Sequence, residues 1–478
     1  MAKTEFDIVV IGGGSGGLVV AAGGAALGAK IALVEKHRLG GDCLWYGCVP
    51  SKTLIKSARI AHQMRHADQW ASTPSPPRPE LAKVMKRVAD VIKTIEPSDS
   101  PERFRGLGVD VIFGDGKFVA RDAFEVNGRT LTAKTFVIAT GSRPAVPRLP
   151  GIDTTPFLTN ETVFDLREPV PALIVIGAGP VGSEMAQAFR RLGSEVTAID
   201  VAPQILPRED ADLAAVVHQT LEAEGVHYSL GTSILGFDGK NGDVRVTVRT
   251  SDGTPKIIAG THLLIAAGRS ANVEGLGLDA AGVRVDSGRI VVEDELRTTN
   301  RDIYVIGDAA GGPQFTHLAE HHAGILLRHA IFRMRWVKPS LVVPWCTFTD
   351  PELARVGLSE TEARRHGIAH RVYRFPFDDI DRARAEGESA GFAKIVTESG
   401  GKLLGAAIVG AHAGELIAEY VLALSKGMNA KDLTGVIHAY PTLAQINRRV
   451  ADQRVKENLT PTSKRWIQRI FGLRGARG

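Results

Sequence analysis

Apolar positions along the chain gather into short β-branched runs separated by stretches of small residues. Phe6–Ile11 (FDIVVI) is one such run and ends at Gly12; the small residues after it predict a helix over 17–29, and a second apolar run fills 31–34. Strand, helix and strand in that order form a β-α-β unit. The arrangement recurs with Ala172–Ile176 (ALIVI), a helix predicted over 177–192, and Glu195–Ile199 (EVTAI). Two units of one kind are therefore expected in a single chain.

Between them lie a Pro-rich polar loop over 72–79, a helix predicted over 80–95, and strand-like runs ending at 136–139; Pro144, Pro147, Pro150 and Pro156 then mark a linker. After the second unit, 263–267 and 303–306 read as buried strands that each lead into a Gly. From residue 341 the texture changes to amphipathic strands and helices, a third domain. The length agrees: 478 residues at roughly 150 per domain make about three.

Charge narrows the function. Lys and Arg number 58 against 53 acids, a net of +5, and Lys464, Arg465, Arg469, Arg474 and Arg477 stand in the last 18 residues with no acid among them. The rest of the chain is thus neutral, and nucleic-acid binding is not expected. The uncharged stretch 8–29 has the length of a membrane span, yet eight of its residues are Gly, and Glu5 and Asp7 precede it where a signal peptide carries positive charge. A cytoplasmic protein is expected.

Gly12-x-Gly14-x-x-Gly17 follows a strand and opens a helix, and Glu35 stands 18 residues beyond Gly17 at the end of the next strand. The glycines permit a tight turn and the close approach of a pyrophosphate to the helix N-terminus, and the acid suits a ribose hydroxyl. Gly177-x-Gly179-x-x-Gly182 with Asp200 repeats the spacing, so two nucleotides are expected. Val201, Ala202 and Pro203 follow Asp200 with no cation to hold a 2′-phosphate, which favours NADH over NADPH.

Cys43 and Cys48 flank four residues within Gly40-Gly41-Asp42-Cys43-Leu44-Trp45-Tyr46-Gly47-Cys48-Val49-Pro50-Ser51-Lys52. Two buried thiols or half a zinc site are open readings, although no second Cys/His pair stands at zinc spacing. A pair that cycles between dithiol and disulfide is the third. The remaining cysteine, Cys346, reads as a small core hydrophobe.

From residue 4 to about 455 these motifs resemble the pyridine nucleotide-disulfide oxidoreductases, the flavoproteins that include dihydrolipoyl dehydrogenase, glutathione reductase and mercuric reductase. The resemblance implies an α/β fold with two Rossmann-like dinucleotide-binding domains, for FAD and NAD, and a C-terminal α+β dimerisation domain. It divides the chain into 1–150 and 271–340 for FAD, 151–270 for NAD, 341–460 for the subunit interface, and a basic amphipathic tail at 461–478. It makes Cys48 the thiol beside the flavin and Cys43 the thiol that exchanges with substrate, with Lys52 near flavin N5 and Glu184 its partner. Gly41 and Asp42, Thr140 and Gly141 of an A-T-G turn, Gly268 of a G-R motif, and Asp308, on the ribityl chain, are the further expected cofactor contacts. Gly116 and Thr316 resemble positions at the adenine end and the flavin ring.

One departure bears on the acceptor. Disulfide-reducing members carry H-P-T-x-x-E near the C-terminus, a His oriented by a Glu that reaches in from the partner subunit; this chain reads His438-Ala439-Tyr440-Pro441-Thr442-Leu443-Ala444-Gln445. Tyr replaces His and Gln replaces Glu. A tyrosine ordinarily titrates at about pH 10 and cannot shuttle protons at neutral pH as His does. His438 lies two residues earlier, on what reads as a strand, and could substitute. The expected enzyme is a homodimer passing electrons from NADH through FAD and Cys43/Cys48 to a small disulfide or thiophilic metal ion, with Tyr440 lining the site. A flavin-based quinone dehydrogenase and a lipoyl multienzyme subunit are the alternatives. In the tail, Trp466, Ile467, Ile470 and Phe471 share one helical face among basic residues. Two readings stand: a helix packed on the body or solvated, and a helix that binds anionic lipid at the inner membrane face.

Overall fold

The computed structural model describes residues 4–293 and 295–475; Arg477 lies outside the described residues. The first sheet is parallel at its centre, in the order Asp110–Phe113, Ile31–Glu35, Phe6–Ile11, Arg129–Ile138, and Ile303–Val305 returns to pair with Arg129–Ile138. Its central strands are apolar on both faces because both are covered: helices Ser15–Ala26 and Thr316–Ala330 pack on one side, and the strand-borne Phe118, Phe124 and Phe136 rings meet edge to face, 5.0 and 5.3 Å apart, on the other.

The second sheet repeats the plan with Val226–Ser229, Glu195–Ile199, Ala172–Ile176 and His262–Ile265, all parallel. A third, of five antiparallel strands, runs Pro344–Thr347, Glu352–Gly357, Leu403–Gly410, Phe392–Thr397, Arg371–Pro376.

Both glycine-opened helices are shorter than the sequence pattern predicts. The first occupies Ser15–Ala26 rather than 17–29, and Gly28 at φ +84° turns the chain out of it. The second begins at Pro180, whose fixed φ suits the first helical position, and is followed by Gly193 at φ +110°.

Helix Cys48–Arg65 packs against both Leu81–Ile95 and Pro180–Arg191, which brings the Cys segment of the first unit to the second. Ion pairs lock these parts together. Arg191 binds Glu224 at 2.6 Å and Asp350 at 2.8 Å. Lys394 binds Glu360 at 2.7 Å, Asp210 at 2.9 Å and Asp212 at 3.1 Å.

Two tail-end expectations change. Residues 435–444 form an irregular loop, not a strand, so strand alternation does not set the direction of His438. The tail forms helix Pro461–Phe471 with no buried residue, which removes the reading of a helix packed on the body of this chain. Among the described residues no helix is long and apolar enough to cross a membrane.

Candidate active site

The two glycine turns are built alike. Gly12 has φ +110° and Gly177 +105°, a region that side chains avoid. A Cβ on Gly17 would lie 2.0 Å from the Gly12 carbonyl oxygen, and one on Gly182 would lie 1.8 Å from that of Gly177. These glycines let each helix start directly against its strand. Gly14 and Gly179 differ: a Cβ on Gly14 would meet nothing nearer than 3.7 Å, and one on Gly179 nothing at all. Their faces are open for a phosphate, and Gly41 lets its loop close to within a Cβ's reach, 2.6 Å, of Gly14 Cα.

The acids match as well. Glu35 accepts the Gly13 amide at 2.7 Å and the His37 amide at 2.9 Å; Asp200 accepts those of Ala178 at 2.6 Å and Ala202 at 2.8 Å. Each carboxylate is thereby fixed beside its own glycine turn. The residues present fit two dinucleotides, each with its pyrophosphate at a helix N-terminus and a ribose at the carboxylate.

Asp308 accepts a hydrogen bond from Ser142 Oγ at 2.5 Å, and Arg269 Nε donates to that same hydroxyl at 2.7 Å. Burial pushes the Asp308 carboxyl up, against Ser142 and Arg269. Arg269 also reaches Asp42 at 3.1 Å, so the Gly268-Arg269 turn ties both expected cofactor-binding acids together. Gly141 (φ +67°) and Gly268 (φ +115°) face open space. Thr140 Oγ1 instead donates to the Asn272 carbonyl at 2.7 Å, a strut between two segments. Gly116 makes room for the Phe124 ring, which a Cβ would meet at 2.3 Å.

At the cysteines, Gly41–Trp45 carries Cys43, and Cys48 opens helix Cys48–Arg65. Cys48 Sγ lies 3.5 Å from Thr316 Oγ1. A hydrogen bond with Cys43 draws the Cys48 thiol down to about 6; burial opposes this, and Thr316 and the Lys52 charge reinforce it. The same hydrogen bond, with burial, pushes Cys43 up. One turn along the helix, Lys52 Nζ donates to Glu184 Oε2 at 2.9 Å, and the Phe348 amide holds the other oxygen at 2.9 Å. Burial works against the Lys52 charge, and Glu184 more than offsets it, so Lys52 is raised. By contrast, burial, Glu352 and Glu184 push the Cys346 thiol up, beyond what Lys52 recovers, so its thiolate is disfavoured.

An open groove of about 450 Å³ runs from Cys48 between the two helices, past Val49, Lys52 and Lys56 on one side and Arg87, Val91 and Ile95 on the other. Sequence reading missed Lys56 and Arg87; only the pairing of the helices brings them to one groove.

Tyr440 is 69% exposed, and its hydroxyl donates to Asp381 at 3.2 Å. His438 is turned inward: Nε2 lies 3.0 and 3.2 Å from the carboxylate oxygens of Glu419, which also accepts from Asn447 Nδ2 at 2.8 Å. A His–Glu pair is present after all, but Glu419 stands upstream on helix Ala418–Ser425 instead of at 445, and no local signal marks it. Within one subunit neither Tyr440 nor His438 joins the Cys43/Cys48 cluster.

Comparison with known proteins agrees with this geometry. The profile described as pyridine nucleotide-disulphide oxidoreductase matches residues 6–323, and that of the same family's dimerisation domain matches residues 343–450. A dihydrolipoyl dehydrogenase from Thermus scotoductus is 38% identical over 458 residues, covering 92% of this chain and 95% of its own. A mercuric reductase from Bacillus cereus is 34% identical over 443 residues, 92% of this chain and 70% of that protein. The HOCl-induced flavoprotein disulfide reductase RclA from Escherichia coli superposes with a TM-score of 0.81 at 27% identity, over 93% of this chain and 99% of that one. Two glycine-built nucleotide turns, a close cysteine pair at their junction and a five-stranded C-terminal domain thus coincide with the matched segments, and the chain belongs to the pyridine nucleotide-disulphide oxidoreductases, FAD-dependent enzymes of the dihydrolipoyl dehydrogenase and mercuric reductase kind.

Proposed function

We propose that this enzyme takes electrons from NADH and delivers them through Cys48 and Cys43 to a small disulfide or a thiophilic metal ion. The observation that carries the reading is the convergence on Cys48 of Thr316 at 3.5 Å, its partner thiol Cys43, and the Lys52 ammonium held by Glu184 at 2.9 Å. Bound NADH and flavin would supply the electron pair that opens the Cys43–Cys48 disulfide to the dithiol. Cys48 holds the negative charge because hydrogen bonds and Lys52 favour its thiolate. The Cys43 thiol attacks the acceptor sulfur and passes its proton to the sulfur that leaves, which departs as a thiol. Cys48 then attacks Cys43 Sγ, restoring the disulfide and expelling the second sulfur, which takes its proton from solvent; a thiophilic metal ion held by both thiolates would instead receive their electron pair as the disulfide closes, leaving the metal reduced by two electrons.

NADH is preferred over NADPH because the Asp200 carboxylate is fixed at the ribose position and repels a 2′-phosphate, with Val201, Ala202 and Pro203 beside it. The dimerisation domain supports a homodimer; in this reading Tyr440 and Ile437, both exposed within one subunit, face the partner and Tyr440 lines the acceptor site. The enzyme works in the cytoplasm, with its tail in peripheral contact with the inner membrane face.

The test is NADH and NADPH consumption with lipoamide, glutathione disulfide, Hg(II) and a soluble quinone, comparing the parent with Cys43→Ser. Disulfide or metal turnover that the substitution abolishes, with NADH the better donor, is the expected result. Quinone turnover that survives it would assign electron delivery to the flavin alone and overturn the reading. Co-purification with an acyltransferase core would support the lipoyl-complex alternative.

A further inference from the structure

We propose that helix Pro461–Phe471 is a surface anchor that seats this enzyme on anionic phospholipid. The helix is specified locally at both ends. Thr460 Oγ1 accepts the Ser463 amide at 3.1 Å, Pro461 stands in the first turn, and Gly472 closes the helix at φ +64°. A capped amphipathic helix ordinarily spends its apolar face on the body of its own chain. This one does not: no residue of it is buried, and Trp466, Ile470 and Phe471 are 58%, 67% and 70% exposed.

The rim of that face names the occupant. At roughly 100° per residue, Trp466, Ile467, Ile470 and Phe471 fill an arc of about 140°. Lys464 borders one edge and Arg469 the other, and Arg469 lies 5.9 Å over the Trp466 ring. Arg465 and Arg474 add charge, and from 458 to 475 there is no acid. Cations on both borders of an aromatic-rich face match a negatively charged lipid surface, with the apolar ridge at the boundary of headgroups and acyl chains. Another copy of the same helix is the wrong partner, because equal positive rims repel. The segment lies beyond both stretches matched by the family, so the anchor is an addition to the shared catalytic chain. Its role does not depend on which acceptor the cysteines serve.

The experiment uses the full-length, flavin-loaded enzyme and sucrose-loaded vesicles of phosphatidylcholine alone or mixed with phosphatidylglycerol, followed by sedimentation. Binding to the anionic vesicles, weakened by added salt, is expected. The double variant Ile470→Glu, Phe471→Glu should lose it by about tenfold or more while retaining parent NADH oxidation and parent oligomeric mass in vesicle-free solution. Equal sedimentation with neutral and anionic vesicles, or undiminished binding by the double variant, would overturn the proposal. So would a change in oligomeric mass, which would give the face to another copy of this chain.

Discussion

At the scale of single residues, the chemistry rests on what surrounds Cys48. Its thiol is drawn to about 6 by the hydrogen bond with Cys43, against burial and with the help of Thr316 and Lys52. The thiolate is therefore present above that pH and lost as pH falls through it. In the dithiol form, alkylation of Cys48 by iodoacetamide should rise with a midpoint near 6. In Lys52→Met, which deletes one of the forces holding the thiolate, the midpoint should move up by about one pH unit. Peptide mapping of the alkylated residue checks it, and an unmoved midpoint would remove Lys52 from the account. The cysteines, Lys52 and Glu184 were legible in the sequence because a dense motif and a family likeness mark them. Arg269, Ser142 and Phe348 gain their site contacts from chain crossings that no local pattern encodes.

At the scale of elements, the strand–turn–helix units are the most legible parts, because their constraint is local: each turn fits only if its third glycine lacks a Cβ. Gly182→Ala places a methyl 1.8 Å from the Gly177 carbonyl oxygen and must push the helix off its strand. The KM for NADH should rise by about tenfold, equivalent to about 1.4 kcal/mol, while the flavin, held by the other unit, stays bound. Gly17→Ala is the mirror case, 2.0 Å from the Gly12 oxygen, and should yield protein poor in flavin. Visible absorbance on purification and NADH titration separate the two; loss of both cofactors in either variant would mean the units do not act separately. The loop at 435–444 shows the opposite situation. A short run flanked by turn residues has no period to fix it, so the orientation of His438 was set by Glu419 reaching it from a neighbouring helix.

Over the whole molecule, the second nucleotide unit is fastened to the C-terminal domain by buried charge. Lys394, 2% exposed, faces Asp210, Asp212 and Glu360 together. Replacing it with Met leaves Asp212 to half-exposed Arg374 at 2.8 Å, Glu360 to exposed Arg364 at 2.8 Å and Arg374 at 3.1 Å, and Asp210 to the amides of Glu360 and Thr361. The expected loss is about 3 kcal/mol, read as a lower Tm with little change in NADH oxidation at low temperature. A Tm equal to the parent's would show that the cluster contributes no net stability. The cluster also sets an acid limit. Burial would raise Asp210, but the hydrogen bonds of Thr361 and Lys394 hold its carboxyl well below the usual range. Its contribution is complete above the ordinary carboxylate value, about pH 4, and is lost as pH falls below that. Thermal melts of the parent should therefore drop more steeply below pH 4 than those of Lys394→Met.

By itself the sequence determined the parts whose rules act within a few residues: two glycine turns, the strands and helices beside them, a cysteine pair, and a tail helix with its own caps and its own charge. Backbone conformation at Gly12 or Gly472 depends on the absence of a side chain there, and that is written in the chain. Only the tertiary structure decided what each exposed or charged side chain meets. The Phe348 amide reaches Glu184, His438 turns to Glu419, Lys56 and Arg87 come to share a groove with Cys48, and the tail's apolar face finds no cover on its own subunit. The physical reason is that contact energies act through space, while periodicity and capping act along the backbone.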